Sequence, residues 1–357
     1  MRYLQFAARR SLPAVLAAAV ACALTSWISI GAARAGPAAP DGPSPAPYLG
    51  RWNYDQPDRA SMRNIAVIQC PVTSTNCSGP GPAGGPLQIP QIGDIVFTQT
   101  AGGVVGHTDQ GCTWQFAARP GSLELARPSE NCFNQVIGSS YTITRWSVTV
   151  HGNHEQETIT AVSHLPAGDY DFVLANGSRT RTPEKGRPAA VRQFLGPWEY
   201  TPADPQTLVN IVTSQATGPD GVHVRQSHQQ GMVNFTRQRG DRVFAQTADG
   251  CRWTLTVRGN TAQLAPAPQA CHLAGSTVIL MHWTIASDGT HQASVMSGVQ
   301  ERDASTSSFL LNVGDLARLL SDRAGNFPSK LSRPTQSEQP GAGQVKEDDH
   351  IGVYGAG

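Results

Sequence analysis

The stretch Gly250-Cys251-Arg252-Trp253 has an earlier echo in Gly111-Cys112-Thr113-Trp114. In both places a second cysteine follows 20 positions after the first, Cys271 and Cys132, and a further tryptophan follows that, Trp283 and Trp146. The openings match as well. Tyr48-Leu49-Gly50-Arg51-Trp52-Asn53-Tyr54 and Phe194-Leu195-Gly196-Pro197-Trp198-Glu199-Tyr200 lie 146 positions apart and keep that offset to Gln69 and Gln215. It falls to 139 at the Cys-x-Trp stretch and to 137 at Trp146/Trp283, through His154/His291 and Phe172/Phe309. One unit therefore occurs twice, and each copy has ordinary domain size. An insertion at about residues 71–90, rich in glycine and proline, belongs to the first unit alone, and with it come Cys70 and Cys77.

The local pattern is that of strands. Trp253, Leu255 and Val257 alternate with Thr254 and Thr256, a period of two. Arg258-Gly259-Asn260 turns the chain and residues 261–264 return it. The first unit repeats this with Trp114, Phe116 and Ala118, the turn Arg119-Pro120-Gly121, then Leu123 and Leu125. A longer strand places Ile279, Met281, Trp283 and Ile285 on one face. A short apolar-periodic segment at residues 315–320 is a helical candidate. Six tryptophans, Trp52, Trp114, Trp146, Trp198, Trp253 and Trp283, are matched three per unit, and large aromatics on the apolar face of a strand are core residues.

Many short strands with close turns predict an all-β chain of two tandem homologous antiparallel β-barrels or sandwiches, each with a disulfide at the same repeat position. Gly50-Arg51-Trp52 and Gly196-Pro197-Trp198 resemble the Gly-x-Trp first-strand motif of lipocalins, in which the tryptophan plugs the closed end of an eight-stranded barrel. Gly168-Asp169-Tyr170 resembles the later Asp-Tyr motif of that family, with Arg179 or Arg181 downstream, and the second unit lacks the Asp-Tyr pair. The exported bacterial metalloprotease inhibitors, small barrels with one disulfide, are similar to the same extent. The lipocalin resemblance implies a binding protein for an apolar small molecule or lipid. The inhibitor resemblance implies a protein-interaction module without a cavity, for which the insertion at residues 71–90 is the candidate contact loop.

The ends of the chain predict its compartment. Arg2, Arg9 and Arg10, an alanine-rich apolar run and Ala33-Arg34-Ala35 form an export signal over residues 1–35. The route is Sec or twin-arginine. Lipidation at Cys22 and an uncleaved anchor are the alternatives, and no other segment is long and apolar enough to span a membrane. A proline-rich spacer follows at 36–47, then the first repeat (48–176), a linker (177–193), the second repeat (194–320) and a polar tail (321–357) expected to be disordered. Removing Cys22 leaves six of the seven cysteines, an even number in an exported chain. Six cysteines allow fifteen connectivities. The second unit has only Cys251 and Cys271, so self-closure forces that pair. The repeat then assigns Cys112–Cys132, and Cys70–Cys77 remains.

A formal net charge of +1 offers no field for nucleic acid or anionic membrane. No Cys-x-x-Cys, no Gly-x-Ser-x-Gly and no phosphate-binding glycine loop occurs, so neither a metal site, a cofactor nor a catalytic set is expected, and the chain reads as a non-enzyme. An enzyme would have to assemble its site between the two units. His154 and His291 recur beside Glu155 and Gln292 as surface polar residues. His223 and His228, five apart, lie in a segment special to the second unit and are a weak metal candidate. Asn76, Asn176 and Asn234 stand in Asn-x-Ser/Thr triplets.

Overall fold

A computed structural model describes residues 43–183, 188–302 and 305–319. The expected signal segment, most of the spacer and the tail lie outside them. Among the described residues no helix is long and apolar enough to cross a membrane.

The first barrel is built from Gly50–Tyr54 (β1), Ile65–Gln69 (β2), Leu87–Pro90 (β3), Asp94–Thr100 (β4), Gly103–Thr108 (β5), Thr113–Arg119 (β6), Ser122–Leu125 (β7), Glu130–Asn134 (β8), Ser139–His151 (β9), His154–Leu165 (β10) and Gly168–Thr182 (β11). The ring runs β1-β4-β5-β6-β7-β9-β10-β11, all antiparallel, and β11 pairs back onto β1. That is a closed eight-stranded meander. The other three strands continue rungs of this ring. Along β11, β1 occupies residues 179–182 and β2 occupies residues 171–173. In the same way β3 runs on into β4, and β7 and β8 lie end to end along β9. Closure satisfies the strand edges that an open sheet would leave bare.

The breaks have local causes. Asn64 sits in the left-handed region, which asparagine tolerates. Its side-chain amide donates to the carbonyls of Asp55 and Ser178 and accepts from the Ser178 N–H, pinning the loop between β1 and β2. Asn210 repeats this in the second unit with Thr201 and Asp315.

The second barrel follows the same plan with Gly196–Tyr200 (β12), Ile211–Gly218 (β13), Gly221–His228 (β14), Met232–Arg237 (β15), Arg242–Thr247 (β16), Arg252–Arg258 (β17), Thr261–Leu264 (β18), Gln269–Leu273 (β19), Ser276–Ser287 (β20), His291–Arg302 (β21) and Ser305–Arg318 (β22). Its ring is β12-β15-β16-β17-β18-β20-β21-β22, closed by β12 on β22. Each barrel has its own apolar core, and all six matched tryptophans are at most 3% exposed. At one end the Trp52 indole donates to the Tyr48 carbonyl and the Arg181 guanidinium lies 4.2 Å over its ring. Trp198 does the same with Phe194 and Arg318.

Three disulfides are present. Cys112–Cys132 and Cys251–Cys271 hold equivalent places, before β6 and β17 and within β8 and β19, with Cα atoms 5.8 and 5.7 Å apart. Cys70–Cys77 clips the loop between β2 and β3.

Several expectations are corrected. The helical candidate at 315–320 is strand where it is described: Asp315 to Arg318 lie in β22, where the ladders to β12 and β21 outweigh local periodicity. The first barrel ends at Thr182 rather than 176, because β11 must reach β1 to close the ring. The end of the expected linker belongs to the second barrel. A short helix at Pro188–Arg192 leads to Phe194, and Val191 and Phe194 are buried in that core. The segment with His223 and His228 is no peculiarity of the second unit. It is β14, the counterpart of β3, and the extra residues of the first unit form the loop at the tip of the β2–β3 hairpin. Met281 points outward at 41% exposure, since a bulge between Leu280 and His282 reverses the alternation that Ile279 and Trp283 suggested.

The barrels pack on one another through polar contacts. Asn53 donates to the Arg258 carbonyl and the Thr261 hydroxyl, Asn260 donates to the Tyr54 carbonyl, and Gln263 donates to Asp109. The β17–β18 turn is the docking knuckle. Gly259 has φ +60°, and a Cβ there would meet Thr182 Oγ1 at 2.8 Å. Ile92 packs on Ala286 and Ala293 of the second barrel.

Candidate functional site

Strand alternation sends Glu155, Glu157, Ile159 and Ala161 of β10 to the interior of the first barrel, and all four are buried. Across the ladder Glu155 faces Arg179 of β11, and Glu157 faces Gly177. A Cβ at position 177 would collide with Glu157 Cγ, so the glycine makes room for that carboxyl group. Arg179 Nε and Nη2 both donate to Glu157 Oε1, at 3.2 and 3.1 Å, and Trp146 Nε1 donates to Glu157 Oε2 at 2.8 Å. The guanidinium also stacks 3.6 Å above the Tyr54 ring.

Glu155 is less well served. Its nearest cation is Arg179 Nε at 3.5 Å, and neither of its oxygens has a hydrogen-bond partner. Burial pushes its carboxyl well above the usual range, with Arg179 pulling the other way and Glu157 adding to the rise. Arg179 itself is held above its ordinary value. Burial alone would lower it, and Glu157, Tyr54 and Glu155 outweigh burial. Tyr54 is raised by burial, opposed by Arg179.

Above this cluster lies a cavity of about 100 Å³. Its floor includes Arg179 and Tyr54, and its wall is aromatic and aliphatic, with Trp114, Trp146, Tyr141 and Ile143. Trp114 and Trp146 meet edge to face at 6.0 Å, and Tyr141 stacks on Phe172 at 6.5 Å. Two donors of cavity-lining residues have no protein partner, Arg179 Nη1 and Trp114 Nε1. Buried polar groups are otherwise almost always paired. The mouth is roofed by the outer wall of the second barrel, through Thr284, Val295 and Asn312. Asp109 stands at that mouth under Gln263, half-buried, and burial together with neighbouring Asp94 pushes its carboxyl up to about 7. Burial also raises the Tyr141 hydroxyl.

The second barrel lacks this chemistry. At the positions equivalent to Glu155, Glu157 and Arg179 it carries Gln292, Ser294 and Leu316, and Gln292 faces Leu316 in the same register. Where the first has Asp109 the second has Ala248.

Among the residues singled out by sequence, Trp114 and Trp146 line the cavity, while Trp52 and Trp198 are fully buried with their indoles bonded to the Tyr48 and Phe194 carbonyls. His154 and His291 are exposed, as are His223 and His228, which lie on an outer hairpin where His223 contacts Asp220 at 2.9 Å. The two histidines are surface polar as expected, while their neighbours Glu155 and Gln292 are fully buried, because the strand turns alternate residues inward. Glu157 was missed. The signal for it was parity: it shares the phase of Ile159 and Ala161. Among the described residues no three His, Cys, Asp or Glu side chains gather as a metal site.

No protein-family model matches the sequence, and no curated protein matches it. Among solved structures the chain is similar to a crystal structure of a DUF3598-family protein of unknown function from Nostoc punctiforme. Identity is 10%, coverage is 76% of this chain and 97% of that one, and the TM-score is 0.21, too low to transfer a fold or a function.

Proposed function

We propose that this is an exported, lipocalin-like binding protein in which the first barrel holds a small ligand and the second roofs its mouth. The observation that carries the reading is Arg179. It is a buried guanidinium on a cavity floor with one unpartnered donor nitrogen, Nη1, in a repeat whose twin replaces the whole cluster with Gln292, Ser294 and Leu316. A charged group kept in one copy of a fold that closes without it points to a site. The Gly-x-Trp strand with arginine stacked over the tryptophan, in both barrels, supports the lipocalin-like assignment. Three disulfides favour an oxidising, exported location.

The reading is of binding without turnover. Among the described residues, no serine or threonine lining the cavity hydrogen-bonds to a histidine or carboxylate, as an activated nucleophile requires. Native mass spectrometry of the protein purified from its own host tests this. One small molecule per chain, lost in Arg179→Leu, is the expected result. An empty wild-type chain refutes it. A second reading, docking of a partner protein on the β2–β3 loop, is favoured by Val72, which is 90% exposed at a disulfide-pinned tip. Partner capture that survives deletion of residues 71–86 would remove it.

A further inference from the structure

We infer that the occupant of the first barrel is a small uncharged molecule, an apolar body carrying a carbonyl-type acceptor for Arg179. This rests on the reading of that barrel as a binding site.

Charge decides first. Among the described residues Arg179 is the only cation lining the cavity, and its charge is already met by Glu157 through two N–H bonds. Glu155 lies 3.5 Å from the same guanidinium, and Asp109 stands at the mouth. A ligand carboxylate would add a negative charge to a desolvated space that holds no uncompensated cation, which is costly. A ligand cation would be brought against Arg179. A neutral ligand incurs neither cost.

Hydrogen bonding decides next. The Nε–Nη2 edge of Arg179 faces Glu157, so the free donor is Nη1, and Trp114 Nε1 is a second unpaired donor on the wall. Both want acceptors, and the one unpaired acceptor among the described lining residues, Asn312 Oδ1, belongs to the second barrel across the mouth. A pure hydrocarbon would leave Nη1 unpaired in a dry pocket, and leaving a buried donor unmade is the expensive case. A carbonyl oxygen satisfies it and donates nothing back.

Size decides last. An apolar cavity of about 150 Å³ holds benzene. The 100 Å³ here fits a body of roughly five or six heavy atoms against Trp114, Trp146 and Tyr141.

The test is isothermal titration calorimetry of the full mature chain at pH 7 with four small cyclic probes matched in size to the cavity: cyclopentanone, cyclopentane, cyclopropanecarboxylate and cyclopentylammonium. We expect cyclopentanone to bind roughly tenfold or more tighter than each of the others. Arg179→Leu, the residue the second barrel carries, abolishes that preference. If the variant does not fold, the wild-type ranking decides alone. Equal or tighter binding of the carboxylate, the ammonium or the hydrocarbon overturns the ligand class while leaving the barrel a binding site. Failure of all four probes to bind overturns both.

Discussion

Glu157→Gln is the sharpest perturbation of the buried cluster. It removes the charge that pairs a guanidinium that is 2% exposed and whose other carboxylate, Glu155, lies 3.5 Å away without a hydrogen bond, and it weakens the acceptor of the Trp146 indole. Breaking a buried pair by neutralising one side costs roughly 3–5 kcal/mol, because the remaining charge stays desolvated. For a barrel of this size that lowers the midpoint of thermal unfolding by roughly 10 °C. The second barrel shows how the fold closes without charge. Glu155→Gln, Glu157→Ser and Arg179→Leu together copy Gln292, Ser294 and Leu316, and Trp283 there tolerates an unpaired indole N–H. We expect this triple variant to be at least ~3 kcal/mol more stable than Glu157→Gln and within about 2 kcal/mol of the wild type, since replacing a whole buried ion pair is often neutral or stabilising. Urea unfolding followed by tryptophan fluorescence measures both. A single variant within about 1 kcal/mol of the wild type, or a triple variant as damaged as the single, refutes the argument. If it holds, the cluster is retained for something other than stability.

Other outcomes follow from the same geometry. Asp109 ionises near 7 when folded and near 4 when unfolded, so the proton is held more tightly by the folded chain. The stability it lends is therefore present below pH 4 and lost as pH rises to 7. The full difference amounts to ~4 kcal/mol, and partial solvent contact reduces it to about 2 kcal/mol. Asp109→Asn should remove that slope in a pH series of urea midpoints, and an unchanged slope would contradict it. Gly259→Val forces a side chain at φ +60° against Thr182, so hydrogen exchange should rise on both sides of the barrel interface around Asn53 and Asn260. Protection unchanged at those residues would show that the turn is not the docking point. Cys251→Ser should cost about 2–5 kcal/mol in the second barrel. Because the barrels share buried hydrogen bonds, the first barrel should loosen too, which separate unfolding transitions would disprove.

Much of this architecture was legible. The 20-residue cysteine spacing and the recurring Gly-x-Trp opening carry the duplication, because a disulfide and a fully buried tryptophan tolerate little drift. The broken rungs were not legible. Asn64 and Asn210 read as ordinary loop residues, and only the ladder of β11 shows that β1 and β2 lie end to end. Met281 and the residues after Asp315 misled because a bulge and a closing ladder are tertiary events. The site was half legible. Trp114 and Trp146 stood out, whereas Glu155 and Arg179 are 24 positions apart and meet only when β10 and β11 pair. Their charge argued for the surface, and the alternation of β10 argued for the interior.

The claim that the first barrel alone binds is tested most directly at the indole N–H groups. Uniformly ¹⁵N-labelled mature protein would be titrated with the small-molecule extract of the same protein purified from its host. The account predicts that the signals of Trp114 and Trp146 move and saturate, while those of Trp198, Trp253 and Trp283 stay in place. Movement of the second-barrel signals with Trp114 and Trp146 unchanged would contradict it.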